Sequence, residues 1–203
     1  MALNLKRDIC FALCLMPTLA WSDVSIKIVD ASGQPLSTAV VFLKSPDIIS
    51  SSRPLTGVEI AQKDRQFIPG VQVVTVGTAI EFPNLDDVRH HVYSFSPAKI
   101  FELKLYAQKP EAPVTFEETG IIELGCNIHD SMLGWVLVND SSIYATTNDQ
   151  GLVTFPGYKA GDYSIDVWHK NFPYGAPFES FKVQVTDNDS AHTLQLETQG
   201  VSF

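Results

Sequence analysis

The run Gly125-Cys126-Asn127-Ile128-His129-Asp130-Ser131-Met132-Leu133-Gly134 places a thiol, an imidazole and a thioether close together in one short segment. Thiolate and thioether are soft ligands and imidazole is borderline, so the three together suit copper in either oxidation state. A loop joining two strands is enough to bring them to one point. A trigonal site needs a second imidazole from elsewhere in the chain. Upstream, Phe82-Pro83-Asn84-Leu85-Asp86-Asp87-Val88-Arg89-His90-His91-Val92 offers two adjacent histidines. Neighbouring residues on a strand point to opposite faces, so only one of His90 and His91 can face the metal.

The cysteine count sharpens this. Lys6 and Arg7, the apolar run Ile9 to Met16 and the small residues around Ala20 and Ser22 have the order of an export signal. Cleavage after Ala20 or Ser22 fits, and Ala20-Trp21-Ser22 has the A-x-S shape that favours Ser22. The apolar run is about half of the ~20 residues a membrane span needs. Cys10 and Cys14 leave with this segment, so the mature chain keeps Cys126 alone, in a compartment that favours disulfides. A lone exported thiol is intermolecular, buried and inert, or held by a metal or a reaction. Coordination would deprotonate and occupy it.

Removing residues 1–22 takes Lys6, Arg7 and Asp8, so 14 basic against 23 acidic residues becomes 12 against 22, a net charge of −10. Such a surface argues against nucleic acid and anionic membranes and permits a basic partner. No nucleophile elbow and no phosphate-cradling glycine loop occurs. Glu111, Glu117, Glu118 and Glu123 are scattered like solvated surface acids. His169 and His192 lie in flanking segments without soft neighbours and read as surface or edge residues. Phe67, Phe82, Phe95, Phe101, Phe116 and Trp135 read as sandwich core. Trp135 and Leu133 could also keep water from the metal.

The elements that must position these side chains are strands. Val24 to Val29, Ala39 to Leu43, Val71 to Val76, Tyr163 to Trp168, Phe181 to Val185 and Thr193 to Leu196 alternate or run apolar, with turn signals between them. This is the pattern of an antiparallel sandwich or barrel. A composition break at Ser45 to Leu55 reads as a linker or an exposed loop, and a second break falls near Asn139 to Ser142.

The segment Phe67 to Val138 resembles the cupredoxins, the type 1 blue copper proteins. Phe67-Ile68-Pro69 and Val74 to Asn84 look like their opening strands. Asn84-x-Asp86-x-x-x-His90-x-Val92 matches the first-histidine motif. Cys126-x-x-His129-x-x-Met132-x-Gly134 matches the compact ligand loop of amicyanin-like members. The resemblance implies a Greek-key β-sandwich, one copper ion and the ligands His90, Cys126, His129 and Met132. The chain departs from the family at His91, which often is Asn there, at Asp130, commonly Pro, and at Glu123-Leu124-Gly125, where an aromatic is common.

The flanks carry their own resemblance. Val29 to Val41, then Thr147 to Gly151, Phe155 and Gly161 to Ile165, look like parts of a carboxypeptidase-regulatory-like (transthyretin-like) β-sandwich. Together these imply an all-β chain: a signal peptide over 1–22, the first part of the transthyretin-like sandwich over 23–55, a cupredoxin domain over 56–138 and the second part over 139–203. A single enlarged sandwich with a long tail is the competing arrangement. Chains that pair a cupredoxin domain with transthyretin-like flanks are often labelled methylamine utilization proteins.

The expected role is one-electron transfer in the periplasm, with an unidentified redox partner, no nucleic acid, no stable membrane insertion after signal removal and no enzymatic activity. A copper carrier, store or sensor would use the same ligands. A purely structural metal would brace the fold, and zinc could fill such a site, but the thioether favours copper.

Overall fold

Short alternating runs become strands along most of the chain, because each can bury one face at a time. The structure, a computed structural model, describes residues 22–186 and 190–198. The expected leader lies outside the described residues except for Ser22, which opens the first strand and pairs with Tyr158.

In chain order the elements are β1 (Ser22–Val29), β2 (Val40–Lys44), the helix α1 (Pro46–Ser51), β3 (Val58–Glu59), β4 (Ala61–Lys63), β5 (Gln66–Ile68), β6 (Val71–Thr75), β7 (Thr78–Glu81), β8 (His90–Ser96) and β9 (Lys99–Tyr106). They continue with β10 (Val114–Phe116), β11 (Gly120–Cys126), β12 (Leu133–Asn139), β13 (Tyr144–Thr146), β14 (Leu152–Tyr158), β15 (Gly161–Trp168), β16 (Glu179–Val185) and β17 (Ser190–Gln195). Among the described residues the fold is all-β apart from α1. That helix falls in the segment expected to be a linker or an exposed loop. Ser45 caps it, its hydroxyl accepting from the Ile48 amide at 3.3 Å, with Pro46 in the first turn. No helix among the described residues is long and apolar enough to cross a membrane.

The inner strands form a Greek-key β-sandwich. One sheet has the order β6-β12-β11-β8-β9, the other β10-β7-β3, and β4-β5 is a separate hairpin. Between the two sheets lies a core that includes Val74, Phe82, Phe116, Ile122, Val136 and Cys126. The outer strands make a second sandwich, β14-β1-β17 over β13-β2-β15-β16. Its core holds Ile26, Ile28, Val41, Leu43, Ile165 and Val167.

The two sandwiches stack. β2 and β12 are buried on both faces, which is why Val40 to Leu43 and Val136 to Val138 read as continuous apolar runs. On β2, Val41 and Leu43 face the outer core, while Val40 and Phe42 face the seam. On β12, Val136 and Val138 face the inner core, while Leu137 faces the seam. Trp135 and Trp168 meet across it with ring centroids 5.7 Å apart. Trp135 therefore fills the seam and does not shield the ligand loop. Phe95 also departs from expectation: it is exposed, because it alternates with the buried Ser94 and Ser96 and so lies on the face of β8 turned away from the inner core.

The chain leaves the outer sandwich after Lys44 and returns at Ser141, whose hydroxyl donates to the Leu43 carbonyl at 2.6 Å. Asn139 and Ser141 are buried, so the composition break at 139–142 marks a fastened crossing.

His169 is the clearest correction among the flanking residues. It is fully buried, with Nδ1 accepting from the Asn171 amide at 3.3 Å and Nε2 lying 3.2 Å from the Thr38 hydroxyl. That arrangement fits the neutral ring with its proton on Nε2. Burial, and then the charge of Lys170, push its pKa down to about 4. Between about pH 6.5 and 4 the unfolded chain therefore binds the extra proton, so stability falls as pH drops through that window and is flat above it. The loss is expected to reach about 3 kcal/mol. Urea unfolding at pH 7 and near 4.5 measures it, and His169→Gln is expected to flatten the dependence.

Candidate metal centre

Three elements converge at one end of the inner sandwich. His90 is the first residue of β8, Cys126 is the last of β11, and the turn between β11 and β12 carries His129 and Met132. Antiparallel pairing of Gly125 with Tyr93 and Cys126 with Val92 brings β11 beside β8 and sets the thiol next to the first imidazole. Tyr93 lies so close over Gly125 that a Cβ there would sit 2.7 Å from its ring. A side chain at this position would have to displace the Tyr93 ring.

The turn is fastened by its own backbone. The His129 amide donates to the Cys126 carbonyl at 3.3 Å, and the Met132 amide to the His129 carbonyl at 2.9 Å. The Asn127 amide donates to the His91 carbonyl at 3.1 Å, tying the turn to β8.

Cys126 is a free thiol, 3% exposed. Its Sγ lies 3.6 Å from Nδ1 of His90 and 3.8 Å from Nδ1 of His129. Among the described residues these three are the group of His, Cys, Asp or Glu side chains whose donor atoms can meet at an ion, all within 4.8 Å of one another. An ion about 2.3 Å from a thiolate and about 2.0–2.1 Å from an imidazole nitrogen requires, by trigonometry, a sulfur–nitrogen separation of about 3.5–3.6 Å at a tetrahedral angle and about 3.7–3.8 Å at a trigonal one. Both sulfur–nitrogen separations fit a shared metal ion. Met132 is buried in the same core cluster as Cys126.

The two adjacent histidines separate as strand alternation requires. His90 is fully buried and faces Cys126. His91 turns to the opposite face, where its Nε2 lies 2.9 Å from Glu102 Oε1. His129 is only half-buried, which makes it the accessible member of the group.

One contact was hidden in the sequence. Nε2 of His90 lies 2.8 Å from Oδ2 of Asp86, which leaves Nδ1 for the metal. Asp86 is partly desolvated, which would raise its pKa. Hydrogen bonds from the Arg65 amide, His90 and the Asp64 amide outweigh this and hold the carboxyl below its ordinary range. The carboxylate four residues before the histidine is the signal that could have marked it. Tyr106, the cross-strand partner of His90, is a second such residue. Burial raises its pKa, and the nearby Cys126 raises it further, against a hydrogen bond to Gln62.

No family model matches the chain, and no curated protein matches it. Among solved structures, the reduced state of an amicyanin mutant aligns at 21% identity with a TM-score of 0.36, covering 48% of this chain and 99% of that one. An oxidized amicyanin mutant aligns at 19% identity with a TM-score of 0.36 and the same coverage. A purple cupredoxin from Nitrosopumilus maritimus aligns at 22% identity with a TM-score of 0.33, covering 40% of this chain and 99% of that one. The donor geometry alone, independent of these alignments, points to a metal.

Proposed function

We propose that this chain holds one copper ion between His90, Cys126, His129 and Met132, as a type 1 site, and passes single electrons to and from a protein partner in the periplasm. The observation that supports this is the buried free thiol of Cys126, with imidazole nitrogens at 3.6 and 3.8 Å. Two imidazoles, a thiolate and a weak axial thioether suit both oxidation states of copper, whereas zinc has little use for the thioether. When bound, the metal supplies a one-electron couple.

The chain's own residues do the rest. Strand pairing fixes Cys126, and its bond to Asp86 fixes His90, so neither ligand has to move when the charge changes. Core packing around Cys126 and Met132 keeps water from the sulfur side. His129 reaches the surface beside the exposed Ile128 and Leu133, and this edge is where a partner would exchange electrons. We read the inner sandwich as the copper domain and the outer one as a transthyretin-like module that it interrupts, with the leader removed on export.

A reversible one-electron couple in voltammetry of the copper-loaded protein, with slow release of copper to a chelator, is the expected result. Rapid transfer of Cu(I) to the chelator with no reversible couple would make the chain a copper carrier instead.

A further inference from the structure

Building on the copper reading, we propose that the β4–β5 hairpin is a clamp for the metal centre, positioning His90 through Asp86. The hairpin belongs to neither sheet of the inner sandwich. Its strands are joined by Asp64 and Arg65 alone, with φ of 53° and 58°. Two successive left-handed residues make the tight turn that matches strand twist, and Arg seldom adopts that conformation.

This turn aims its two amides at one carboxylate. The Asp64 amide donates to Asp86 Oδ1 at 2.7 Å, and the Arg65 amide to Oδ2 at 3.0 Å. Oδ2 is also the atom that meets His90 Nε2. A carboxylate held on both oxygens by backbone donors cannot rotate away, so the imidazole it bonds stays aimed with Nδ1 toward Cys126.

The same hairpin reaches the centre in three other ways. The Gln62 amide donates to the Pro83 carbonyl and the Leu85 amide to the Gln62 carbonyl, both at 2.8 Å, which stitches β4 to the segment before Asp86. Gln62 Oε1 also accepts from the hydroxyl of Tyr106. On β5, Phe67 packs against Gly134, just past Met132, where a Cβ would lie 3.0 Å from its ring. One hairpin thus braces both the support of His90 and the exit of the ligand loop.

The test separates backbone from side chain. Arg65→Gly keeps the amide and the left-handed φ, and is expected to bind copper within about twofold of the unaltered chain. Arg65→Pro removes the amide and forbids the φ. It and Asp86→Ala are each expected to lower Cu(II) affinity by about 10- to 100-fold, as loss of a ligand's hydrogen-bond partner does. The double variant should lose no more than the worse single one. In the metal-free protein, NMR should show the His90 Nε2–H signal in the unaltered chain and in Arg65→Gly, and its loss in the other two. If Arg65→Pro fails to fold, the Asp64 and Arg65 amides of Asp86→Ala decide. Loss of their exchange protection supports the clamp, and unchanged protection overturns it. Additive affinity losses, or an unaltered His90 signal in Arg65→Pro, also overturn it. The metal-free NMR judges the clamp even if a copper-loaded sample refutes the copper reading.

Discussion

Cys126→Ser is expected to remove the visible thiolate-to-copper band altogether and to weaken Cu(I) binding by at least a hundredfold. The sulfur is the one soft anionic donor in the set, and a hydroxyl replaces it poorly for copper. Four-ligand zinc sites bind with about 10–16 kcal/mol, so one thiolate accounts for on the order of 3 kcal/mol or more. The side chain is small and 3% exposed, and serine leaves the Cys126–Val92 and Gly125–Tyr93 pairing intact. Melting of the metal-free protein should therefore move far less than copper affinity. A competitive titration with a Cu(I) chelator reads the affinity, and an absorption spectrum reads the band.

The second large effect lies at the crossing between the sandwiches. Lys44 Nζ lies 2.9 Å from Asp166 Oδ2 and 2.8 Å from Asp140 Oδ1. Asp166 also accepts from Asn139 Nδ2 at 3.0 Å and from the Ser180 hydroxyl at 2.6 Å. Burial alone would raise the Asp166 pKa, yet the Ser180, Lys44 and Asn139 bonds bring it below its ordinary range. Lys44→Met leaves two carboxylates facing each other without a cation, one of them nearly buried. Breaking a buried pair costs about 3–5 kcal/mol, and partial exposure of Lys44 puts this case near the lower end, about 3 kcal/mol. For a chain of this size that is a fall in Tm of roughly 10 °C. A thermal melt measures it. The copper band of the folded variant should be unchanged, because this network lies at the seam and not at the ligand loop.

Alternation along single strands was legible in the sequence. Val71 to Thr75 and Tyr163 to Trp168 are strands where the pattern puts them, and the split of His90 from His91 follows from opposite faces alone. Spacing also marked Cys126, His129 and Met132 as members of one turn. What lay hidden depends on packing between distant segments. Val40 to Leu43 reads equally well as a core strand of one sandwich or as a strand buried on two sides, and only the stacked sheets decide. Trp135 sits one residue from Gly134 in sequence but meets Trp168 across the seam. His169 looked like a surface residue because its partners, Thr38 and the Asn171 amide, are supplied by chain folding. Backbone donors leave no mark on residue type either, so the grip of the Asp64–Arg65 turn on Asp86 could not be read from the letters.

All of this rests on whether a sulfur and two imidazoles share one copper ion. The most direct measurement is the visible absorption and electron paramagnetic resonance spectrum of the protein reconstituted with one equivalent of Cu(II). An intense sulfur-to-copper charge-transfer band, with a one-electron copper signal that disappears on reduction, is the predicted outcome. A copper-loaded sample with only weak ligand-field absorption would contradict it.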